Sequence, residues 1–216
     1  MSLDVKKITF RYKEKDPPIL EGFSACFQKN RITSISGPNG CGKTTLSKVI
    51  LGILKAETGQ VVIDGTDAKN LSLAQMGQRI GYVMQSPGRQ IFSYTVQEEM
   101  EYGLKNLDLS QEEIRERSTQ FLRYFGLEDK REDFPFAMSQ GEKQRLVLGA
   151  VLAMKPEYLI LDEPTASLDI EGREFLGKYL NRIKKDMKCG IIIISHDKTF
   201  IDEYGDQIIY MEERHV

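Results

Sequence analysis

The chain has 216 residues, which is enough for one large domain or for a domain with a subdomain. Its 30 basic and 32 acidic side chains are mixed along the sequence and leave a net charge of −2, which argues against a charge-driven nucleic-acid interface. The cysteines Cys26, Cys41 and Cys189 form no CxxC pair, and no apolar run approaches the roughly 20 residues that span a bilayer. We therefore expect free thiols in a reducing cytoplasm, with any membrane role supplied by a partner.

The first third of the chain alternates strand patterns with turns. A glycine-rich turn follows residue 36, and apolar residues at helical spacing predict a helix over 44–54. Alternating or short apolar runs predict strands over 5–12, 19–27, 32–36, 60–64 and 79–84.

The middle of the chain changes to helical patterning. Phe125-Gly126 supplies a helix stop, and strand patterns return over 158–161 and 190–195. Three pairs have the capping-box spacing that begins a helix: Thr95 with Glu98, Ser110 with Glu113, and Ser139 with Glu142. These patterns predict an α/β core, residues 1–85 and 157–216, interrupted by a helical subdomain over 86–156.

The glycine-rich turn has the spacing of a phosphate-binding loop between a strand and a helix. Glycines let backbone N–H groups curl around phosphate oxygens, and the helix N-terminus adds a positive partial charge. Lys43 would reach the β- and γ-phosphates, and the Thr44 hydroxyl would bind Mg²⁺. The alternative is an ordinary glycine turn, which the strand and helix on either side disfavour. The loop residues are Gly37, Pro38, Asn39, Gly40, Cys41, Gly42, Lys43 and Thr44.

The apolar strand over 158–161 ends in two carboxylates, Asp162 and Glu163. Since side chains alternate along a strand, we expect that both cannot be buried, and that the pair marks a site at the strand tip. Asp162 suits the coordination of Mg²⁺, and Glu163 suits the polarisation of an attacking water. The alternative is an acidic pair at a helix N-cap.

Six separated motifs in this order strongly resemble an ATP-binding cassette (ABC) ATPase domain across nearly the whole chain. They are the phosphate-binding loop, Gln85, Met138-Ser139-Gln140-Gly141-Glu142, Asp162-Glu163, Ser167-Leu168-Asp169 and His196. The resemblance implies an α/β fold: a P-loop NTPase core of the RecA-like type, an N-terminal antiparallel β-subdomain and an inserted helical subdomain. It also implies ATP and Mg²⁺ as cofactors.

The resemblance assigns roles to residues outside the loop. Tyr12 would stack on adenine, its alternative being a core strand tyrosine, and Thr45 would contact the nucleotide. Gln85 would touch Mg²⁺ and the attacking water, or be a polar residue at a strand end. His196 would contact the γ-phosphate, although a lone histidine beyond a buried strand is more often structural. His215, which follows Glu212, Glu213 and Arg214, is predicted to be a solvated residue near the end of the chain.

In this family two ATPase subunits pair head to tail. Each subunit contributes a signature segment, here Met138–Glu142, to the ATP site of the other. Ser139 and Gly141 keep the hydroxyl and the backbone N–H groups that this contact needs, and Asp169 matches the loop that crosses the interface. The segment departs from the common Leu-Ser-Gly-Gly-Gln pattern. We expect Glu142 to fold back on Ser139 as a helix cap, and its charge to weaken ATP-driven closure modestly.

A narrower resemblance, to the energy-coupling-factor group of vitamin and metal-ion importers, lies directly after Gln85. It rests on Gln85-Ser86-Pro87, Gln90-Ile91-Phe92, Thr95-Val96 and the stretch from Glu98 to Leu104. Ile91, Phe92 and Tyr94 would sit near the docking groove for a membrane subunit, or would pack the two subdomains together. ATPases of that group usually continue well beyond the histidine, whereas 20 residues follow His196 here.

The expected function is that of a cytoplasmic ATPase subunit held at the inner face of the membrane by a membrane transport subunit, paired with a second ATPase subunit and binding no nucleic acid. The alternatives are a soluble ABC ATPase, for example in iron–sulfur assembly, and the ATPase of another ABC transporter class.

Overall fold

The computed structural model describes residues 1–166 and 168–212. These residues form two sheets, the first of which is antiparallel and is formed mainly by the N-terminal strands. Ser167 and His215 lie outside the described residues. One face of the sheet packs on the core, so the first strand buries Leu3, Val5, Ile8 and Phe10, and a register shift between Val5 and Ile8 interrupts the alternation. The sheet has the order β2-β1-β4-β5, with β1 (Ser2–Phe10), β2 (Leu20–Gln28), β4 (Thr58–Ile63) and β5 (Thr66–Asp67).

The second sheet is parallel and has five strands within the described residues. Its three central strands are buried along their whole length, which the apolar runs over 158–161 and 191–194 predict for two of them. Because the strands are parallel, their carboxyl ends meet at one edge of the sheet, where ligands bind in such folds. The order is β6-β7-β8-β3-β9, with β3 (Ile32–Ser36), β6 (Ile80–Val83), β7 (Tyr158–Asp162), β8 (Gly190–Ile194) and β9 (Gln207–Tyr210).

Seven α-helices accompany the sheets in the part of the chain that the structure describes. The third, fourth and fifth pack on one another and form the predicted helical region between β6 and β7. No helix within residues 1–166 and 168–212 is both long enough and apolar enough to cross a membrane. The helices are α1 (Lys43–Ile50), α2 (Leu73–Arg79), α3 (Val96–Tyr102), α4 (Gln111–Tyr124), α5 (Gln140–Ala153), α6 (Ile170–Met187) and α7 (Lys198–Tyr204).

All three predicted capping boxes are present at the starts of α3, α4 and α5. The fourth helix also ends as predicted, with Phe125 as C-cap and Gly126 at φ +64°. The sequence prediction missed α2, which begins with a fourth capping box formed by Ser72 and Gln75. This helix buries only Met76, so its apolar pattern is too weak to be recognised.

The helix after the glycine-rich loop is shorter than predicted. It ends at Ile50 instead of Leu54, because Gly52 takes a left-handed φ of +73° and the chain turns back. The amides of Ile53 and Leu54 donate to the Lys48 carbonyl, and Ile53 is 60% exposed.

A cluster of charged groups joins the two sheets at the amino end of β6 and β7. Lys29 Nζ lies 2.5 Å from Asp64 Oδ2 and 2.7 Å from Glu157 Oε2. Arg79 Nε lies 2.6 Å from Glu157 Oε1, and the Tyr158 hydroxyl donates to Asp64 at 3.1 Å. The hydrogen bond from Arg79 is the main reason that the pKa of Glu157 falls to about 2.

We expect Glu157→Gln to lower the free energy of unfolding by about 2 kcal/mol at pH 7, between the values for exposed and for buried ion pairs. Since the pKa of Glu157 is depressed in the folded state, its contribution is present above about pH 4.5 and is lost as the pH falls towards 2. Urea unfolding at pH 7 and pH 3 measures both effects. The matched control is Glu132→Gln, at an exposed position. Equal stability of the two variants at pH 7 would contradict the prediction.

Candidate functional site

The glycine-rich loop runs from the carboxyl end of β3 to the start of α1. Gly42 precedes α1 at φ +102° without a side-chain cap, which leaves the first helical N–H groups available to a ligand. At Gly37 a Cβ would lie 2.5 Å from the carbonyl oxygen of Met211, so only glycine fits there. The loop therefore has the backbone of a phosphate-binding turn.

Lys43 lies across its own loop and is 7% exposed. Its ammonium group donates to the carbonyl oxygens of Gly37 at 2.8 Å and Pro38 at 2.9 Å. A buried cation with neutral partners favours an anionic ligand, because charged oxygens make stronger hydrogen bonds with it than carbonyls do.

Oxygen ligands suited to a cation meet beside this loop, at the carboxyl end of β7. The Thr44 hydroxyl donates to Asp162 Oδ2 at 3.4 Å, and the Tyr82 hydroxyl donates to the same oxygen at 2.8 Å. Burial raises the pKa of Asp162, while the hydrogen bond from Tyr82 opposes this. A sheltered carboxylate beside a hydroxyl fits the oxygen preference of Mg²⁺.

Glu163 follows Asp162 and is held by groups at the end of β8. It has a left-handed φ of +48°, a strained conformation of the kind found at functional sites. Its Oε2 lies 2.8 Å from His196 Nδ1 and accepts at 3.4 Å from the Ser195 hydroxyl and from the His196 amide. The imidazole is 64% exposed, so the pair opens to solvent.

The expectation that strand alternation would leave one carboxylate of the pair exposed is wrong. Asp162 is 7% exposed and the side chain of Glu163 is 13% exposed. Strand β7 lies between β6 and β8 and is covered on both faces, and the chain leaves the strand at Glu163. The tip of the strand therefore shelters both carboxylates.

Tyr12 lies at the outer edge of the site and is 54% exposed, so it is not a core residue. Its hydroxyl is 3.2 Å from the hydroxyl of Thr45, and its ring meets Phe10 edge to face. A half-exposed aromatic ring of this kind can stack on a planar ligand. Gln85 is exposed in the turn after β6, which borders β7.

The other predicted residues lie around a separate hollow. Ser139 and Gly141 at the start of α5, together with Asp169 at the start of α6, line a space of 340 Å³ that no residue of the glycine-rich loop lines. Asp169 caps α6 by accepting from the Gly172 amide at 2.8 Å. The structure thus brings the predicted residues together in two groups.

Glu142 adopts the predicted capping position. Its Oε2 accepts from the Ser139 amide at 2.9 Å and from the Ser139 hydroxyl at 2.7 Å. Gln140 is the first residue of α5 and needs no left-handed conformation, so the loss of a glycine there is tolerated.

Tyr82 and Gln144 are site residues that the sequence prediction missed. Tyr82 binds Asp162, and Gln144 Nε2 donates to the Pro164 carbonyl at 2.9 Å. The second bond ties helix α5 to the turn after Glu163. A polar side chain amid the apolar residues of α5 was the available signal for Gln144.

The segment after Gln85 divides into buried and exposed side chains. Ile91 is 4% exposed and lies in a core cluster shared by the helical region and the parallel sheet, which favours the alternative that it packs the two subdomains together. Phe92 is 56% exposed and Tyr94 is 80% exposed. The ring of Phe92 contacts Tyr102, another exposed aromatic residue, at 4.3 Å between centroids.

Residues 20–166 match the family model described as ABC transporter. A Pyrococcus furiosus protein named "Putative ABC transporter ATP-binding protein" is 39% identical over 99% of this chain and 81% of its own length. The energy-coupling factor transporter ATP-binding protein EcfA1 of Streptococcus pyogenes is 35% identical over 99% of this chain and 77% of its own length.

Among solved structures, cbiO1 from Clostridium perfringens, described as part of the ABC transporter complex cbiONQ, superposes with a TM-score of 0.90 at 33% identity. The match covers 97% of this chain and 84% of cbiO1. The agreement of family model, curated relatives and fold with the phosphate-binding loop and the paired carboxylates establishes that the chain belongs to the ABC transporter family and is an ATPase of that family.

Proposed function

We propose that the chain powers a membrane importer of the energy-coupling-factor type, by pairing with a second ATPase subunit when ATP binds. The observation that carries the proposal is the division of the site residues. Lys43, Asp162 and Glu163 form one half-site at the end of the parallel sheet, while Ser139 and Asp169 lie around a different hollow. A subunit with separated halves needs a second subunit to complete each site.

In the first half-site the loop amides and Lys43 bind the phosphates, and Tyr12 supports the base with its exposed ring. Glu163 accepts the proton of the attacking water, and His196 and Ser195 hold its carboxylate in place. Catalysis then consists mainly of positioning and charge stabilisation of the in-line attack.

Thr44 and Asp162, together with Gln85 in the turn after the neighbouring strand β6, are the residues that we propose hold Mg²⁺. The oxygen ligands of Thr44 and Asp162 fit this ion, as their contact and the shelter of the carboxylate indicate. When bound, the ion neutralises charge that develops on the phosphate oxygens.

Residues 1–85 and 157–216 act in this proposal as the nucleotide-binding core, with 86–156 as a helical subdomain that faces the membrane partner. Phe92, Tyr94 and Tyr102 support this assignment, because exposed aromatic residues are typical anchors of protein interfaces. The similarity to EcfA1 and cbiO1 supports the importer class, and a location at the inner face of the membrane follows from docking.

We expect Tyr94→Ser to weaken binding to a membrane subunit by about tenfold or more, because an aromatic anchor contributes about 2 kcal/mol. Affinity capture with the tagged full chain from detergent-solubilised membranes of the source cells measures this. ATP binding by Tyr94→Ser stays at the parent level.

The matched control is Ile53→Ser, which removes another exposed apolar side chain, from the turn after α1, and leaves capture unchanged. Recovery of a polytopic membrane protein with the parent chain supports the importer. Recovery of a soluble scaffold protein instead would reject it in favour of a soluble ABC ATPase, such as one of iron–sulfur assembly.

A further inference from the structure

Lys130 contacts the signature segment from outside it. It ends a short 3₁₀ turn, Glu128–Lys130, between α4 and α5. Its Nζ lies 2.5 Å from Glu142 Oε1, the carboxylate oxygen that does not bind Ser139. The side chain of Glu142 is 18% exposed and that of Lys130 is 43% exposed, so the pair is partly shielded from solvent.

The Lys130 contact changes the electrostatics of the signature segment. The hydrogen bond from Lys130 is the largest cause of the fall in the pKa of Glu142 to about 2, ahead of the bonds from Ser139. Two other charged groups act on Lys130: the negative charge of Asp133 raises its pKa, and the positive charge of Arg145 lowers it. Glu142 is therefore ionised at neutral pH, with its charge offset by a neighbouring ammonium group.

The Ser139 hydroxyl cannot donate to Glu142 and to a phosphate at the same time. It has a single proton, which it donates to Glu142 Oε2 at 2.7 Å, while its oxygen accepts from the Glu142 amide at 3.3 Å. A phosphate oxygen that approaches this helix start is an acceptor and needs the same proton. When the hydroxyl turns to phosphate, Glu142 keeps only the Ser139 amide and Lys130.

We propose that Lys130 is a positioning residue for ATP-driven pairing, which holds and neutralises Glu142 while Ser139 gives its hydroxyl to the nucleotide of the partner subunit. The inference rests on the proposed pairing of subunits. Without Lys130, the Glu142 carboxylate would lose its largest counter-charge as a triphosphate approaches, and repulsion would oppose closure.

The test compares the ATP concentrations that give half-maximal association of full-length chains, all carrying Glu163→Gln to limit hydrolysis, with ATP and Mg²⁺ at fixed ionic strength. We expect Lys130→Met to raise this concentration by about three- to tenfold, the range of a partly exposed ion pair counted at two sites per dimer. Lys130→Arg restores the parent value, since it keeps the charge.

A double-mutant cycle separates positioning from general destabilisation. In a Glu142→Gln background there is no carboxylate to neutralise, so adding Lys130→Met has no further effect on association. An equal loss in both backgrounds, or no loss in either, overturns the inference.

Carboxyl NMR titration of Glu142 in the nucleotide-free chain is a measurement that needs no pairing. We expect its midpoint to rise in Lys130→Met, and an unchanged midpoint overturns the inference. If the Glu163→Gln chain does not associate with ATP, then self-pairing fails as a proposal, and the titration still decides whether Lys130 holds Glu142.

Discussion

Glu163→Gln is expected to lower steady-state ATP hydrolysis by at least about 100-fold, the contribution of a positioned general base. The carboxylate is held at the tip of β7 by His196 and Ser195, and an amide there cannot take a proton from water. ATP binding is retained, because Lys43 and the loop amides are unchanged. Phosphate release and equilibrium binding of a labelled ATP analogue measure the two effects separately.

The matched control is Glu116→Gln, at an exposed position on α4. It removes the same charge from the chain and is expected to leave hydrolysis at the parent rate. If Glu163→Gln hydrolysed ATP at a rate close to that of the parent, Glu163 would not be the base, and the assignment of the half-site would be wrong.

Lys43→Met is expected to weaken ATP binding by about 100-fold, since hydrogen bonds to a charged group contribute about 1.5–3 kcal/mol each. The ammonium group is buried within the loop, where it donates to the carbonyl oxygens of Gly37 and Pro38. Methionine keeps the length of the side chain and removes its charge. Equilibrium dialysis with labelled ATP and Mg²⁺ gives the affinity.

Lys55→Met, at an exposed position after α1, is the control and keeps the parent affinity. Thermal unfolding of Lys43→Met is measured in parallel, so that a folding defect is recognised. A folded Lys43→Met protein that bound ATP as tightly as the parent would contradict the role of this lysine.

Much of the fold could be predicted because its elements are encoded locally. The four isoleucines of β8 and the continuous apolar run of β7 indicate buried strands wherever they stand in the chain. The capping boxes depend on two residues three positions apart, and each predicted box is present. Helix α2 was missed because packing of Met76, rather than a strong apolar pattern, supports it.

The orientation of single side chains was harder to predict. Ile91 and Phe92 are neighbours in the sequence and equally apolar, yet one is buried in the helical region and the other is exposed. Asp162 and Glu163 are both sheltered, because the strand that carries them is central in its sheet. Burial at these positions depends on which elements cover them, and periodicity alone does not contain that information.

The sequence by itself determined the chemistry that this chain carries: a glycine-rich loop with Lys43 and Thr44, a carboxylate pair after a buried strand, and a serine at a helix start. These features are short and local, so residue type and spacing suffice to recognise them. Only the tertiary structure decided which groups meet. Glu163 meets His196 from 33 residues away, and Glu142 meets Lys130 from a separate turn. Such contacts depend on distances of a few ångströms between elements, which packing of the whole chain sets.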